Sequence, residues 1–371
     1  MKKILFISHS ASRSGAPILL LNLAKALHEE YKCETDFIIK QSGELDNEFK
    51  KLGSVKIVFQ EDNGVYSSSW TKAYLKIIKR KAFDHFFSQI PLKNYDVVVS
   101  NTISTFDLLP FIRKNYKGKI VSYIHELTVA TDFLIAKEKI EEIKTIANLF
   151  LVPGEAVRAF LINAYQVDNN QIKTLPYYIP NSLDNKDKST NESEFYVGAS
   201  GSVEYRKGTD FFVQLAYHFS KFYSSLPIKF IWQGGNQKSI EYKFLNEDIK
   251  KLGLSRTCFF QTSSSKMEDF YNSIDLFILT SREDPYPLVV LEAANAEIPS
   301  ICFENSGGAV DFIEGNGKIA KYMDIESMAE AIIYYYTERG KLVQDGKKSK
   351  EKLSKLHQDR AKICKQFIDL I

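Results

Sequence analysis

The stretch from Ser281 to Gly315 has the sequence SREDPYPLVVLEAANAEIPSICFENSGGAVDFIEG and places acids at both edges of a short apolar run. Glu283 and Asp284 precede a turn with two prolines, and Glu292 ends the apolar run. Packing in a core does not explain acids on both sides of an apolar run that adjoins a loop. Carboxylates accept hydrogen bonds from pairs of hydroxyls, so this stretch predicts a site for a polyhydroxylated ligand.

Short runs rich in apolar, β-branched and aromatic residues recur on either side of this stretch, separated by segments with helical spacing of apolar residues. They occupy residues 3–9, 35–39, 55–59, 96–100, 120–124 and 148–152 in the first half, and 194–198, 229–234, 258–261, 276–280 and 300–303 in the second. The alternation predicts the α/β class, with parallel sheets covered by helices on both faces and right-handed crossovers.

A polar segment over 181–194, NSLDNKDKSTNESE, has one apolar residue in fourteen and interrupts the alternation. It predicts a linker, and the length of 371 residues also suits two domains. We therefore predict an N-terminal domain over 1–180 and a C-terminal domain over 181–350, each doubly wound, facing a cleft that binds the ligand. A basic helix with an apolar stripe over 351–371 is expected to join the first domain.

The composition excludes several classes of protein. The 49 basic and 46 acidic side chains nearly balance, which argues against a nucleic-acid partner. The four cysteines lie far apart, without a C-x-x-C pair, and predict buried reduced thiols in a cytoplasmic protein rather than a zinc site or disulfides. No apolar run is long enough to span a membrane, and the first run is too short for a signal peptide.

The segment from Trp70 to Phe87 interleaves five basic residues with aromatic and aliphatic ones. A basic amphipathic helix of this kind can lie on an anionic membrane surface, which predicts a peripheral contact with the inner membrane face. A helix of the domain with a solvated lysine face explains the same pattern, and the sequence leaves both interpretations open.

A small-residue loop with the sequence GASGS, which includes Gly201 and Ser202, follows the run at 194–198. Arg206 and Lys207 come next, ahead of a helical pattern. Free N–H groups at a helix start and two adjacent cations predict a diphosphate clamp, although a solvated basic loop remains the alternative. The sequence contains neither a P-loop nor a G-x-G-x-x-G motif. It also lacks an Asp-x-Asp motif, which would supply the usual ligands of a site for a metal-bound nucleotide.

His125 and Glu126 directly follow the run at 120–124, and His9 ends the first run of the chain. Polar residues at the carboxyl ends of parallel strands point into the crevice where such folds bind ligands. The pair is therefore a candidate for the site. A structural histidine explains His125 equally well, so its role stays open at this point.

These residues together resemble the family 4 (group 1) glycosyltransferases, which are retaining enzymes with the GT-B fold of two Rossmann-like domains. The resemblance covers nearly the whole chain. Its main motif is an acid, seven residues and a glutamate, here Asp284 to Glu292, followed by a small-residue helix and a strand led by Pro299. Lys207-Gly208 after the anion loop and Gly15-Ala16 in the first loop also match.

The resemblance implies roles for individual residues. Glu292 corresponds to the acid that binds the nucleotide ribose, and Lys207 with Arg206 to the diphosphate clamp. The implied catalytic residues are His125, Arg206, Lys207 and Asp284. The implied donor-binding residues are Gly15, Gly201, Ser202, Arg206, Lys207, Glu283, Asp284, Tyr286, Pro287, Leu288, Val289 and Glu292, with Ser14 and Glu126 as candidates on the acceptor side. No metal and no cofactor are expected.

Three positions depart from the family pattern. The first acid is Asp284, preceded by Glu283, where the family usually has Glu. The usual Gly-Phe-Gly turn is Pro285-Tyr286-Pro287, and proline has no N–H. Only the amides of Tyr286, Leu288 and Val289 then remain as possible donors. The arginine that the family has in the anion loop falls at Ser202.

The predicted reaction is transfer of a sugar from a nucleotide sugar to an acceptor hydroxyl, with retention at the anomeric carbon. The acceptor would be a glycan, a lipid-linked sugar or a small molecule, bound by the N-terminal domain. The resemblance suggests bacterial-type synthesis of cell-surface polysaccharide, lipopolysaccharide or glycoconjugate. Two alternatives remain, a nucleotide-sugar epimerase of the same architecture and a non-catalytic partner that binds a sugar nucleotide or glycan.

Overall fold

The computed structural model describes residues 2–59, 81–180, 193–262 and 267–371. The chain forms two compact units, Met1–Ile179 with Asp359–Ile371, and Pro180–Gln358. Within the described ranges, no helix is long and apolar enough to cross a membrane.

The first unit contains a seven-stranded sheet with the order β3-β2-β1-β4-β5-β6-β7, in which all the pairings are parallel. Its strands are β1 (Lys3–Ser8), β2 (Glu34–Gln41), β3 (Val55–Phe59), β4 (Val97–Asn101), β5 (Lys119–Tyr123), β6 (Leu149–Val152) and β7 (Ile172–Thr174). Its helices include Gly15–Tyr31, Asp46–Lys50, Leu109–Asn115, Thr128–Leu134, Lys137–Ile146, Glu155–Tyr165 and Arg360–Leu370. The strand order reverses between β1 and β4, which opens a crevice at their carboxyl ends.

The second unit contains a six-stranded parallel sheet with the order β10-β9-β8-β11-β12-β13. Its strands are β8 (Phe195–Ser200), β9 (Ile228–Gln233), β10 (Cys258–Gln261), β11 (Leu276–Leu279), β12 (Ser300–Phe303) and β13 (Lys318–Ala320). Its helices include Thr209–Phe222, Ile240–Lys251, Met267–Asn272, Leu288–Asn295, Ala309–Ile313, Ile325–Thr337 and Arg339–His357. Here the order reverses between β8 and β11.

The predicted α/β class with two doubly wound sheets is confirmed. Continuous apolar runs became strands because helices cover both faces of each sheet, and all five residues of β4 are buried. The sequence pattern did not reveal β7 and β13. Each has three residues at the edge of its sheet, too few to produce a recognisable apolar run.

The C-terminal segment forms two helices instead of the single helix predicted over 351–371. The helix Arg339–His357 packs in the second unit, where Leu353 is buried. A new helix begins after Asp359, whose carboxylate caps it by accepting a hydrogen bond from the amide of Lys362 at 3.0 Å. This second helix packs in the first unit through Phe367, so residues 351–358 belong to the second unit.

The segment predicted to contact a membrane lies partly outside the described residues, which omit 60–80. Its remaining part is helical over 81–88. Phe83 and Phe87 are buried in the core of the first unit, and both rings contact Phe111. These two phenylalanines are therefore not available to a membrane surface.

The four cysteines, Cys33, Cys258, Cys302 and Cys364, are buried and unpaired, as predicted.

Candidate functional site

The loops that follow β8 and β11 bring the predicted anion loop next to the acid motif. After β8 the chain forms a 3₁₀ turn over Tyr205–Lys207 and reaches Gly208 at φ +66°. A Cβ at Gly208 would lie 1.9 Å from the carbonyl oxygen of Thr280, at the end of β11. Only glycine permits this approach, which places the two loops in direct contact.

Lys207 and Asp284, 77 residues apart, form an ion pair in the second unit. The Nζ of Lys207 donates to Oδ2 of Asp284 at 2.6 Å. Their side chains are 16% and 7% exposed, so the pair is well shielded from solvent. The structure thus joins two predicted site residues into one group, with each charge compensated by the other.

Arg206 is held by the same two loops. Its Nη1 donates to the carbonyl oxygen of Glu283 at 3.0 Å, and its Nη2 donates to Oε1 of Glu204 at 2.8 Å. Glu283 therefore contributes its backbone at this point. Ser202 lies exposed in the loop between Gly201 and this turn, and the carbonyl of Gly201 accepts a hydrogen bond from the indole of Trp232.

The backbone of Asp284 is fixed by the Ser-Gly-Gly turn that follows β12. The amide of Asp284 donates to the carbonyl of Ser306 at 2.6 Å, and its carbonyl accepts from the amide of Gly308 at 3.1 Å. Gly307 has φ +122°, and a Cβ there would lie 1.9 Å from the carbonyl oxygen of Asp284. The glycines of this motif are therefore required for the position of the acid.

The proline-bearing turn directs the side chain of Tyr286 into its own unit. The Tyr286 hydroxyl lies 3.0 Å from Nε2 of His357, at the end of the helix Arg339–His357. Burial raises the pKa of Tyr286. The side chain is thus a structural anchor, and only its backbone amide remains a predicted donor contact.

Pro287 occupies the N-cap position of the helix Leu288–Asn295, without a side-chain capping hydrogen bond. The amides of Leu288 and Val289 lie in the first turn of this helix, where no preceding helical carbonyl can accept from them. Their predicted contact with the donor stays a prediction.

Glu292 lies on this helix and is half-buried. Its Oε2 accepts a hydrogen bond from the hydroxyl of Tyr271 at 2.7 Å. Burial raises the pKa of Glu292, and the bond from Tyr271 opposes that shift. The pKa of Tyr271 is itself raised well above its usual value, by burial first and then by Glu292, so its hydroxyl remains a donor. The sequence pattern alone assigns Tyr271 no role.

Arg282 is a second residue that the sequence did not reveal. Its Nη1 and Nη2 donate to the two carboxylate oxygens of Asp210 at 2.8 and 2.7 Å. Its guanidinium carbon lies 3.6 Å from the ring centroid of Tyr205 and 4.3 Å from that of Phe211. A single arginine beside an acid pair carries no recognisable pattern, because its partners come from a distant segment.

His125 lies after β5 in the first unit and hydrogen-bonds through both ring nitrogens. Its Nε2 lies 2.7 Å from Oδ1 of Asn101, and its Nδ1 lies 2.9 Å from the hydroxyl of Tyr177. Because the amide nitrogen of Asn101 donates to the carbonyl of Ala16, its Oδ1 faces the histidine, and Nε2 therefore carries the proton. Burial, followed by His9, lowers the pKa of His125 to about 3, so the ring is neutral near pH 7.

Glu126 is buried beside this histidine. Its Oε2 accepts from the amides of His125 at 3.0 Å and Ile103 at 3.2 Å. Burial raises the pKa of Glu126 to about 7, and the two backbone hydrogen bonds oppose that shift. The side chain therefore fixes the loops after β4 and β5 and titrates near neutrality.

Ser14 and Gly15 lie in the loop after β1 and at the start of the helix Gly15–Tyr31, and both are exposed. The Ser14 hydroxyl lies 2.9 Å from that of Ser12. Both residues belong to the first unit, and their predicted ligand contacts stay predictions. Within the described part of the chain, no three His, Cys, Asp or Glu side chains cluster closely enough to hold a metal ion.

Known proteins resemble this chain in sequence and in fold. Residues 181–353 match the family described as "Glycosyl transferases group 1". Alpha-galactosylglucosyldiacylglycerol synthase of Streptococcus pneumoniae is 25% identical over 76% of this chain and 78% of its own length. The amylovoran biosynthesis glycosyltransferase AmsD of Erwinia amylovora is 27% identical over 49% of this chain and 50% of its own.

A solved structure shares the fold over the full length. HepE of Anabaena, in complex with UDP-glucose, superposes with a TM-score of 0.82 at 16% identity and covers 100% of this chain and 99% of the other. The matched family spans the second unit, where the acid motif and the clamp loop meet. Residues 181–353, which make up most of the second unit, match the group 1 glycosyltransferases, and the whole chain has the GT-B fold.

Proposed function

We propose that this glycosyltransferase moves a sugar from a nucleotide-sugar donor to an acceptor hydroxyl with retention at the anomeric carbon and without a metal ion. The observation that carries the proposal is the ion pair between Lys207 and Asp284 at 2.6 Å, beside Arg206, at the strand-order reversal of the second unit. Crevices at such reversals bind nucleotides in open α/β sheets. The complex of HepE with UDP-glucose supports a nucleotide-sugar donor of this type.

An exchange of partners explains how the clamp binds a diphosphate. The donor diphosphate replaces Asp284 as the counter-ion of Lys207, so the cation is never left buried and unpaired. The released carboxylate of Asp284 then accepts hydrogen bonds from the sugar hydroxyls. One ion pair thus holds the site ready and couples binding of the diphosphate to binding of the sugar.

Glu292 binds the ribose in this proposal. An ionised carboxylate accepts hydrogen bonds from two adjacent hydroxyls, and the bond from Tyr271 fixes the rotamer of Glu292 and favours its ionised form. This binding of the nucleotide through its ribose is independent of the sugar that the donor carries.

The chemical step relies on electrostatic stabilisation of the leaving group. Negative charge builds up on the departing diphosphate while the anomeric carbon becomes oxocarbenium-like, and Lys207 and Arg206 stabilise that charge. The acceptor attacks from the face of the leaving group, and the leaving phosphate takes the acceptor proton. His125 orients groups as a neutral ring, because a pKa of about 3 makes it a weak base.

The acceptor belongs to bacterial cell-surface polysaccharide or glycolipid synthesis and binds to the N-terminal unit. The names of the two curated relatives, one a glycosyldiacylglycerol synthase and one a glycosyltransferase of amylovoran biosynthesis, support this assignment. Neutral donors and acceptors around His125 suit the hydroxyls of a sugar. We further propose that the enzyme works in the cytoplasm at the inner membrane face.

The test is a screen of UDP-, GDP-, ADP- and dTDP-sugars with glycan and glycolipid acceptors, followed by NMR of the product. We expect transfer from one nucleotide class, an anomeric configuration equal to that of the donor, and full activity in EDTA. An inverted product contradicts retention, and loss of activity in EDTA contradicts metal independence. Conversion of the donor to its epimer without acceptor, or binding without turnover on every acceptor, contradicts the transferase assignment.

A further inference from the structure

The turn that carries Arg206 and Lys207 is bound along its backbone by the end of β11. The carbonyl of Tyr205 accepts from Nη1 of Arg282 at 2.6 Å, and the carbonyl of Arg206 accepts from the amide of Arg282 at 2.8 Å. The carbonyl of Lys207 accepts from the hydroxyl of Thr280 at 3.1 Å. Three successive carbonyls of the turn are thus tied to two residues of one neighbouring segment.

Arg282 makes the strongest of these connections. Its side chain is 13% exposed, and its guanidinium contacts the rings of Tyr205 and Phe211. Its bidentate pair with Asp210 connects it to the first turn of the helix Thr209–Phe222, directly after the clamp. Only the planar guanidinium can donate to Asp210 through two nitrogens, donate to a carbonyl and stack on a ring at once.

The pair with Asp210 also has an electrostatic consequence. Asp210 is an acid in the first turn of the helix whose start adjoins the clamp. A carboxylate without a counter-ion at this position would repel a diphosphate. Arg282 compensates that charge, so the helix start remains favourable for an anion.

We propose that Arg282 is a positioning residue for the diphosphate clamp. It holds the turn of Arg206 and Lys207 in place and neutralises Asp210, without itself touching the donor. The proposal rests on the proposed function, because it requires that the turn bind a diphosphate. Nucleoside affinity, which depends on Glu292 and not on the clamp, supplies an internal reference.

The experiment is calorimetry with UDP and uridine on the full chain, with GDP and guanosine and ADP and adenosine as parallel pairs. We expect Arg282→Ala to weaken diphosphate binding about 10- to 100-fold, the scale of one lost charge-assisted contact. Affinity for the nucleoside should stay unchanged. Arg256→Ala, which removes an exposed arginine of the same unit, is the matched control and should leave both affinities unchanged.

A double-mutant cycle tests whether Arg282 acts through the clamp. In a Lys207→Ala background, Arg282→Ala should weaken diphosphate binding by a smaller factor than in wild type, because one of the two cations that it positions is gone. Arg282→Lys keeps the charge and loses the bidentate geometry, so it should show an intermediate loss of diphosphate affinity. This variant replaces Arg282→Ala in the experiment if the alanine variant does not fold.

Equal losses for diphosphate and nucleoside, additive effects in the cycle, or wild-type affinity in both Arg282 variants would overturn the proposal. These outcomes differ from a failure of the proposed function, in which the wild-type chain binds none of the three diphosphates.

Discussion

The two halves of this enzyme build their candidate sites from opposite kinds of groups. In the second unit, Lys207 and Arg206 are balanced by Asp284 and Glu204. In the first unit, the centre is a neutral histidine bonded to an amide and a phenol. Both sites lie at the carboxyl ends of parallel strands, so the common fold does not dictate the difference.

The difference matches the two proposed ligands. A nucleotide diphosphate is an anion, and it can replace one partner of an existing ion pair without leaving the other charge buried and unpaired. An acceptor sugar is neutral, and the neutral ring of His125 with its amide and phenol partners suits hydroxyls better than it suits an anion. The predictions below test this contrast, beginning with the largest expected effect.

Lys207→Ala should lower sugar transfer at least about 100-fold, because it removes a charge aimed at the developing negative charge of the leaving group. Glu292→Ala should lower transfer on the same scale through loss of the ribose contact. The measurement is the steady-state rate with the donor found in the screen. Lys238→Ala, which removes an exposed lysine of the same unit, should retain wild-type rates. Wild-type rates in both Lys207→Ala and Glu292→Ala would refute the assignment of these two residues to the donor site.

Glu126 should make the first unit less stable as the pH rises. Its pKa is raised to about 7 in the folded state from a usual value near 4.5, so the folded state holds the proton more tightly. This stabilisation is present below the unfolded pKa and is lost as the pH rises to the folded pKa. The contribution is on the order of 3 kcal/mol.

Hydrogen exchange of β5 amides in Glu126→Gln and in wild type, at about pH 5 and about pH 8, measures this contribution. The stability of the variant relative to wild type should be higher at the alkaline pH. Glu138→Gln, at an exposed position of the same unit, is the control for the loss of one charge. A stability difference that does not change with pH would show that Glu126 is ionised throughout.

In Tyr271→Phe, the acidic limb of the pH profile of kcat/KM for the donor should move to higher pH. The hydroxyl of Tyr271 lowers the pKa of Glu292 against the effect of burial, so its removal lets that pKa rise. Because the ionised carboxylate binds the ribose, kcat/KM for the donor should fall first at acidic pH. Tyr242→Phe, which removes a buried tyrosine hydroxyl bonded to a backbone carbonyl of the same unit, should leave the limb in place.

The smallest effect is expected at Tyr177. Tyr177→Phe removes a donor to Nδ1 of His125 and should cost about 1 kcal/mol of stability in the first unit.

In ¹⁵N-histidine spectra, His125 should stay neutral with its proton on Nε2 down to about pH 5, given its lowered pKa. A His125→Gln variant identifies the signal. A protonation midpoint near 6.5 would remove the contrast between the two halves.

The sequence predicted more of the second site than of the first. Asp284 and Glu292 are separated by one turn and part of one helix, and such a short spacing can be recognised in the sequence. The partners of His125 come from β4 and from the segment after β7, so no spacing connects Asn101 and Tyr177 with it. No spacing connects Arg282 with Asp210 either, because Asp210 lies 72 residues earlier.

Alternating apolar runs determined the two doubly wound sheets, because burial of a strand on both faces demands a continuous apolar stretch. The acid motif and the glycines predicted the resemblance to the group 1 glycosyltransferases and the position of the proposed donor site. Tertiary structure alone decided which charges meet, that Tyr286 turns inward to His357, and that the C-terminal helix breaks before Asp359. These features depend on contacts between distant segments, and a contact between distant segments leaves no periodic trace in a single sequence.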